Sequence, residues 1–317
     1  MLKEKGFYKG VNLGGWLSQC DYSEERLNRF INEKDIETIA SWGADHVRIP
    51  FDYNILENSD GSYNEDGFER LRRAVEVCQK NGLNTVLDLH KTAGFSFDSY
   101  GESESGFFDS PEYQERFCRL WEQIAMHFGS ESDHVAFELL NEVTDECYIK
   151  VWNRIVKEVI PRIRKYAPDT LILVGSYENN SAETVQYLDP PYDDKVIYNF
   201  HCYDPLRFTH QGAYWTDRID PQERVSYADS GCSPRFFEDF FASALAQAKK
   251  YNAQLYCGEF GIIDKVSPED TIAWYRDINS VFEKYGIGRC AWSYKEMDFG
   301  LTDHHLDSIR SDLIKYL

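Results

Sequence analysis

Val135-Ala136-Phe137-Glu138-Leu139 is a short, mostly apolar run that closes on Leu140-Asn141-Glu142. A run of this length and composition reads as a β-strand buried on both faces, the kind found in parallel sheets. A second such run, Gln254-Leu255-Tyr256-Cys257, closes on Gly258-Glu259-Phe260-Gly261. Each strand delivers a glutamate where its apolar part stops. Upstream of Val135, Ser110-Pro111-Glu112 opens a helix: an N-cap serine, proline at the first position and an acid in the first turn. Downstream, Ile149, Trp152, Ile155, Val156 and Val159 make one helix face.

The same strand-then-helix unit recurs in both directions. Strands are expected at Phe7–Leu13, His46–Pro50, Thr85–Leu89, Val135–Leu140, Leu171–Val174, Val196–Phe200, Gln254–Cys257 and Gly288–Tyr294. Between them lie apolar helical stripes. Ile36, Ile39 and Ala40 stop at Gly43; Phe68, Leu71, Val75 and Cys78 stop at Gly82, a left-handed cap. Ser233-Pro234 and Ser267-Pro268-Glu269-Asp270 repeat the opening signal. The helix after strand five rests on Ala182–Leu188 alone, and an amphipathic stretch, Leu306–Leu317, ends the chain. Eight alternations of apolar strand and helix imply an α/β protein, a single (β/α)8 TIM barrel over residues 1–317. A doubly wound open sheet is the alternative, but Gly14-Gly15 is a poor match to the phosphate loop such a sheet would carry after its first strand. The longest irregular stretch, roughly Tyr203–Gly231, follows strand six and should border the site, because barrel chemistry sits at the C-terminal strand ends.

Net charge is −20 and the isoelectric point about 4.8, which disfavours nucleic acid and anionic membrane surfaces as partners. Aromatic residues make up 15% of the chain; most belong to a core, and some are available as the floor of a binding cleft. Eight cysteines are scattered singly, without a Cys-x-x-Cys pair, and read as reduced thiols used as small apolar residues. No apolar leader and no run of about 18 apolar residues is present. The expectation is a cytoplasmic protein, or a secreted one whose signal is absent from this sequence, acting as a monomer without cofactor or metal.

Polar residues mark the ends of six strands: Arg48, His90, Asn141 with Glu142, His201 with Tyr203, Glu259, and Trp292 with its neighbours. A lone buried His or Arg is usually structural; six in register across a barrel are not. Strands four and seven face each other across such a barrel. Two carboxyls about 5 Å apart there cleave a glycosidic bond with retention, one attacking the anomeric carbon and the other protonating the leaving oxygen. The carboxylate beside Arg48 and the Tyr203 hydroxyl stays ionised; the other, facing that charge, keeps its proton.

The chain resembles glycoside hydrolase family 5, the cellulase family of the retaining barrel clan. The resemblance is carried by Gly10–Leu17, His46–Pro50, Leu87–His90, Phe137–Glu142, Tyr198–Tyr203, Tyr256–Gly261 and Trp292–Phe299, and is strongest to clostridial endoglucanases of the C type. It implies Glu142 as acid/base and Glu259 as nucleophile, with Arg48 and Tyr203 orienting Glu259. It implies Asn141 on the sugar 2-hydroxyl, His90 and His201 lining the subsite of the cleaved sugar, and Trp292 as its stacking platform. The sequence departs from that pattern at His90-Lys91, where relatives often carry His-His, and at Asp204–Ser233, too short for the helical subdomain some relatives insert. The latter favours a more open cleft. Glu178-Asn179-Asn180 and Lys295-Glu296-Met297-Asp298 face the same end, as sugar contacts or as ordinary loop residues.

The substrate expected is a β-1,4-linked or mixed-linkage β-1,3-1,4-glucan, as oligo- or polysaccharide. A mannan or glucomannan backbone, or exo-acting β-glucosidase action, is the alternative. Two other classes remain: a metal-dependent barrel enzyme using Glu142, Glu259, His90 and His201, for which no His-x-His or His-Glu-x-x-His pattern is present, and a non-catalytic carbohydrate-binding protein, which two intact glutamates argue against.

Overall fold

In the computed structural model, which describes residues 2–98 and 104–317, eight parallel strands pair in chain order and close into a barrel. They are β1 (Lys9–Asn12), β2 (His46–Asp52), β3 (Asn84–Lys91), β4 (Val135–Glu138), β5 (Ile172–Gly175), β6 (Val196–Cys202), β7 (Leu255–Phe260) and β8 (Gly288–Ala291). β1 pairs with both β2 and β8, which closes the ring.

Strand alternation sorts the side chains into two populations. Val47, Ile49 and Phe51 of β2, Leu87 and Leu89 of β3, and Val135 and Phe137 of β4 pack outward in one large core shared with the helices. Val86, Ala136, Leu173, Ile197, Tyr256 and Cys290 form a separate cluster inside the barrel, together with Leu2 and Phe7 of the N-terminal segment. Two residues further along each strand the inward series turns polar: Asp88 follows Val86, Glu138 follows Ala136, Asn199 follows Ile197. Inward polar residues satisfied by one another let the strands continue, though the pairing register shifts at His90 and around Gly258 and Glu259, where bulges re-aim the side chains. β3, β6 and β7 thus run past the apolar segments read from the sequence and carry His90, His201 and Glu259 within the sheet.

Helices Glu33–Ser41, Glu65–Lys80, Pro111–Phe128, Ile149–Arg164, Ala242–Tyr251 and Pro268–Tyr285 cover the strands. The Ser-Pro openings act as caps: Ser110, Ser233 and Ser267 each accept from the backbone N–H three residues on. After β5 the expected helix is only a 3-10 segment, Ala182–Tyr187. Pro190 and Pro191 follow within four residues and bar a longer helix. The closing stretch is likewise broken into short turns, His304–Leu306, Arg310–Leu313 and Ile314–Tyr316. Between β6 and the helix Pro234–Phe240 only Leu206–Thr209 is helical, so no subdomain rises there.

Three buried tryptophans tie the helices to the rim. Trp121 donates its indole N–H to the Leu139 carbonyl (3.0 Å), Trp152 to Gly175 (2.8 Å) and Trp274 to Asp204 (3.0 Å). Each carbonyl lies just before or after a cleft-facing segment, so core packing sets the height of the loops that carry the polar residues. All eight cysteines are free, and six of them are buried. Among the described residues no helix is long and apolar enough to cross a membrane.

Candidate active site

Arg48, on β2, is fully buried in the middle of the barrel. Its Nε donates to Glu138 Oε2 (2.7 Å) and Nη2 to Glu138 Oε1 (2.9 Å), a two-pronged grip. Nη1 donates to Asn12 Oδ1 (2.9 Å) and Glu259 Oε1 (2.7 Å), while Nη2 also reaches Asn141 Oδ1 (2.9 Å) and Asp88 Oδ2 (3.0 Å). One guanidinium on β2 thereby holds residues of β1, β3, β4 and β7, and Asn141 just beyond β4. Burial alone would lower its pKa, but the charges of Asp88, Glu138 and Glu259 raise it well above the ordinary arginine value.

Glu259 takes its second hydrogen bond from the Tyr203 hydroxyl, at Oε2 (2.7 Å). Burial, with the Glu259 charge beside it, pushes the Tyr203 phenol well up, so it stays a donor. Glu142 stands opposite. One donor atom each from Glu142, Glu259 and His201 lie within 4.8 Å of one another, so the carboxyls are at the short separation of a retaining pair. Glu142 has φ +39°, a left-handed conformation unfavourable for a residue with a β-carbon, and such strain concentrates at working residues. Its side chain is 12% exposed. Burial raises its pKa to about 7, opposed by a hydrogen bond from Asn179 Nδ2 to Oε2 (3.1 Å) and by the Arg48 charge. Two carboxyls thus sit in unlike settings: one gripped by a cation and a phenol, the other desolvated.

His201 Nδ1 is 2.8 Å from Glu142 Oε1 and 3.7 Å from Glu259 Oε2, so the structure places it between the two carboxyls. Burial lowers its pKa to about 4, leaving a neutral imidazole at ordinary pH. His90 Nδ1 lies 2.5 Å from Asp88 Oδ2, and burial holds it well below the usual histidine range. Its ring lies parallel to Trp292, with centroids 5.9 Å apart and planes 3° apart. Gly14 makes room for that tryptophan: a β-carbon there would stand 2.8 Å from the indole ring. Lys91 pairs with Asp98 (2.6 Å), and Phe97 meets His90 edge-on. Asn141 Nδ2 is buried without a hydrogen-bond partner, a donor held ready beside both glutamates.

The eight residues singled out in the sequence therefore join into one connected set. Four members were not singled out there: Asn12, Asp88, Glu138 and Asn199. Asn199 donates to Glu138 Oε1 (2.8 Å). Asp88, desolvated but facing Arg48, is raised to about 7, and Glu138 is also raised by burial. Their signal was present in the strand alternation: in Val135-Ala136-Phe137-Glu138, the charged residue falls on the inward side. Glu142, His201 and Glu259 also form a donor set of a kind that holds divalent ions.

A (β/α)8 barrel with two close, unlike carboxyls at its C-terminal rim is the architecture of a retaining glycosidase. The sequence profile of the family described as Cellulase (glycosyl hydrolase family 5) matches residues 7–298, and the chain belongs to that family. It is a glycoside hydrolase and acts on a glycan. Cellodextrinase A of Ruminococcus flavefaciens is 60% identical over 289 residues, 91% of this chain and 86% of that protein. Endoglucanase C of Acetivibrio thermocellus is 36% identical over 98% of both chains. Among solved structures, Thermotoga maritima Cel5A in complex with mannotriose superposes with a TM-score of 0.82 at 25% identity, covering 99% of this chain and 98% of that one.

Proposed function

We propose that this enzyme is an endo-acting β-glucanase for β-1,4-linked or mixed-linkage β-1,3-1,4-glucan, with Glu259 as nucleophile and Glu142 as acid/base. One observation carries the assignment of roles: Glu259 is held by Arg48 and Tyr203, whereas burial raises Glu142 to about 7. Glu259 attacks the anomeric carbon while Glu142 passes its proton to the departing glycosidic oxygen. The ester that forms removes the negative charge opposite Glu142, whose proton affinity then falls. Glu142 accepts a proton from water, the hydroxide oxygen attacks the anomeric carbon, and Glu259 leaves as carboxylate. The orphaned Asn141 Nδ2 is suited to the sugar 2-hydroxyl, and Trp292, backed by His90, to the sugar face.

The names of the cellodextrinase and endoglucanase relatives favour a β-1,4-glucan backbone. The mannotriose complex keeps a mannan backbone as the second reading. Product profiles on mixed-linkage β-glucan, carboxymethyl-cellulose and glucomannan separate them, with Glu259→Ala as the blank. Oligosaccharides from the glucans, absent in the blank, are expected. Release from glucomannan alone would favour the second reading, and monosaccharide alone from short oligomers would mean exo action. Roles are tested by azide on an activated aryl glycoside: Glu142→Ala should recover turnover and yield a β-azide. Equal rescue of Glu259→Ala with the same anomer would mean the roles are reversed. Full activity in excess chelator is expected; its loss would favour the metal-dependent alternative.

A further inference from the structure

The segment after β5 has a backbone that its residues do not favour. Glu178, Asn179 and Asn180 have φ of +55°, +53° and +58°, three successive left-handed residues without a glycine. Each is disfavoured by about 1 kcal/mol, less for asparagine, so the turn persists only because its surroundings hold it. Trp152 grips the Gly175 carbonyl at its start. Gly175 lacks a β-carbon where one would lie 2.2 Å from Asn180 Oδ1. The Asn179 N–H donates to the Val143 carbonyl (3.0 Å), locking the turn to the residue after Glu142. The result of this bracing is one contact, Asn179 Nδ2 on Glu142 Oε2. Next to it Asn180 Nδ2 lies 3.5 Å from His201 Nε2. An amide N–H at Nε2 leaves the ring proton on Nδ1, facing Glu142 Oε1.

We propose that Asn179 is a positioning residue for the acid/base, its left-handed turn holding the Glu142 carboxyl in one rotation and easing release of its proton to the leaving oxygen. With Asn179 on Oε2 and His201 on Oε1, both oxygens of Glu142 are hydrogen-bonded, which favours the ionised form. Burial works the other way and is the larger influence. Other groups facing Glu142 are Glu259, Tyr203, Arg48, Glu138 and Asp88 within the barrel, and Asp98 from the segment after β3. Of these, only Arg48 is a cation. Without Asn179, desolvation and the surrounding carboxyls act against one fewer opposing donor, and the acid would hold its proton to higher pH.

This inference rests on the assignment of Glu142 as acid/base, and the test separates the two. The measurement is the pH profile of kcat/KM for wild type, Asn179→Gly and Asn179→Asp, on cellotetraose and on dinitrophenyl β-cellobioside. Glycine removes the amide yet suits φ +53° better than asparagine, so folding is preserved. Its alkaline limb on cellotetraose should move up by about one pH unit, the scale of one hydrogen bond to a charged group. The aspartate variant, which sets a carboxylate against Oε2, should move it further in the same direction. The acid limb should stay in place in both. An unmoved alkaline limb in Asn179→Gly, or a downward move in Asn179→Asp, overturns the inference. So does a loss of activity without a shift of the limb, which is what a purely structural role gives. The dinitrophenyl leaving group departs without a proton, so its wild-type kcat/KM should lack the alkaline limb. A limb that persists there overturns the assignment of Glu142 itself.

Discussion

Arg48 shows how far one side chain can organise a site. Its N–H groups are all directed at acceptors, and those acceptors belong to Asn12, Asp88, Glu138, Asn141 and Glu259. Lysine carries the same charge but offers a compact ammonium, without the planar fork that spans Glu138 and Glu259 together. Arg48→Lys should therefore lower stability by roughly 3 kcal/mol, the scale of a disrupted buried ion pair, and reduce kcat/KM at least about tenfold. Urea denaturation and steady-state kinetics on a soluble β-glucan read both effects; an unchanged denaturation midpoint would show that the network carries no net stability. Glu142, Glu259 and Tyr203 were legible in the sequence because the site uses them where apolar strands stop; Arg48 was read as a strand end too, but β2 runs on to Asp52 and places it inside the barrel, in the layer of Glu138 that it grips. Glu138 was not, because it sits one layer below, inside a run that reads as apolar until inward and outward positions are separated. His201 was legible as a strand-end residue, but its place between the two carboxyls depends on how far β6 extends, which an apolar pattern does not report.

At the scale of elements, the helices act on the site through single hydrogen bonds to the rim. Trp152 lies on the helix Ile149–Arg164, and its indole N–H ends on Gly175, where the left-handed turn begins. Trp152→Phe keeps most of the buried ring but leaves that carbonyl without its donor, at a loss of about 1–3 kcal/mol. Because the same carbonyl anchors the turn bearing Asn179, hydrogen exchange of the Asn179 amide should accelerate more than that of β5. Equal acceleration would mean a general loss of packing. The turn itself predicts a gain elsewhere. Glu178 is exposed at φ +55°, and Glu178→Gly should stabilise the fold by about 0.5–1 kcal/mol in thermal unfolding, strain relief exceeding the entropy added to the unfolded chain. No gain would place the strain elsewhere in the turn. The eight-fold alternation and the capped helices were legible because period and capping are local signals. The two left-handed triplets, Glu178–Asn180 and Glu296–Asp298, were not: their residues show no glycine, and tertiary contacts impose the conformation.

The whole molecule carries its acidity inward as well as outward. Net charge is −20, and around Arg48 the barrel interior gathers Asp88, Glu138, Glu142 and Glu259 against that single cation. They cannot all be ionised without mutual repulsion, which adds to burial in holding Asp88 and Glu142 near 7. The consequence for folding has a definite sign. Glu142 has an ordinary value of 4.5 when unfolded and about 7 when folded. Between those values the folded state binds more protons than the unfolded one, so stability falls as pH rises through that window and levels off above it. The ionised carboxyl is thus held at a cost on the order of 3 kcal/mol at alkaline pH, from a shift of about two units or more. Glu142→Gln presents a neutral group of the same shape at every pH. It should match wild-type stability near pH 4 and exceed it by up to that amount near pH 8, while turnover on unactivated glucans is lost. Urea denaturation of both proteins across this range measures the difference directly. A constant gap at all pH values would mean that Glu142 enters the fold with an unshifted proton affinity, and the environment that distinguishes it from Glu259 would then have to lie in the bound substrate.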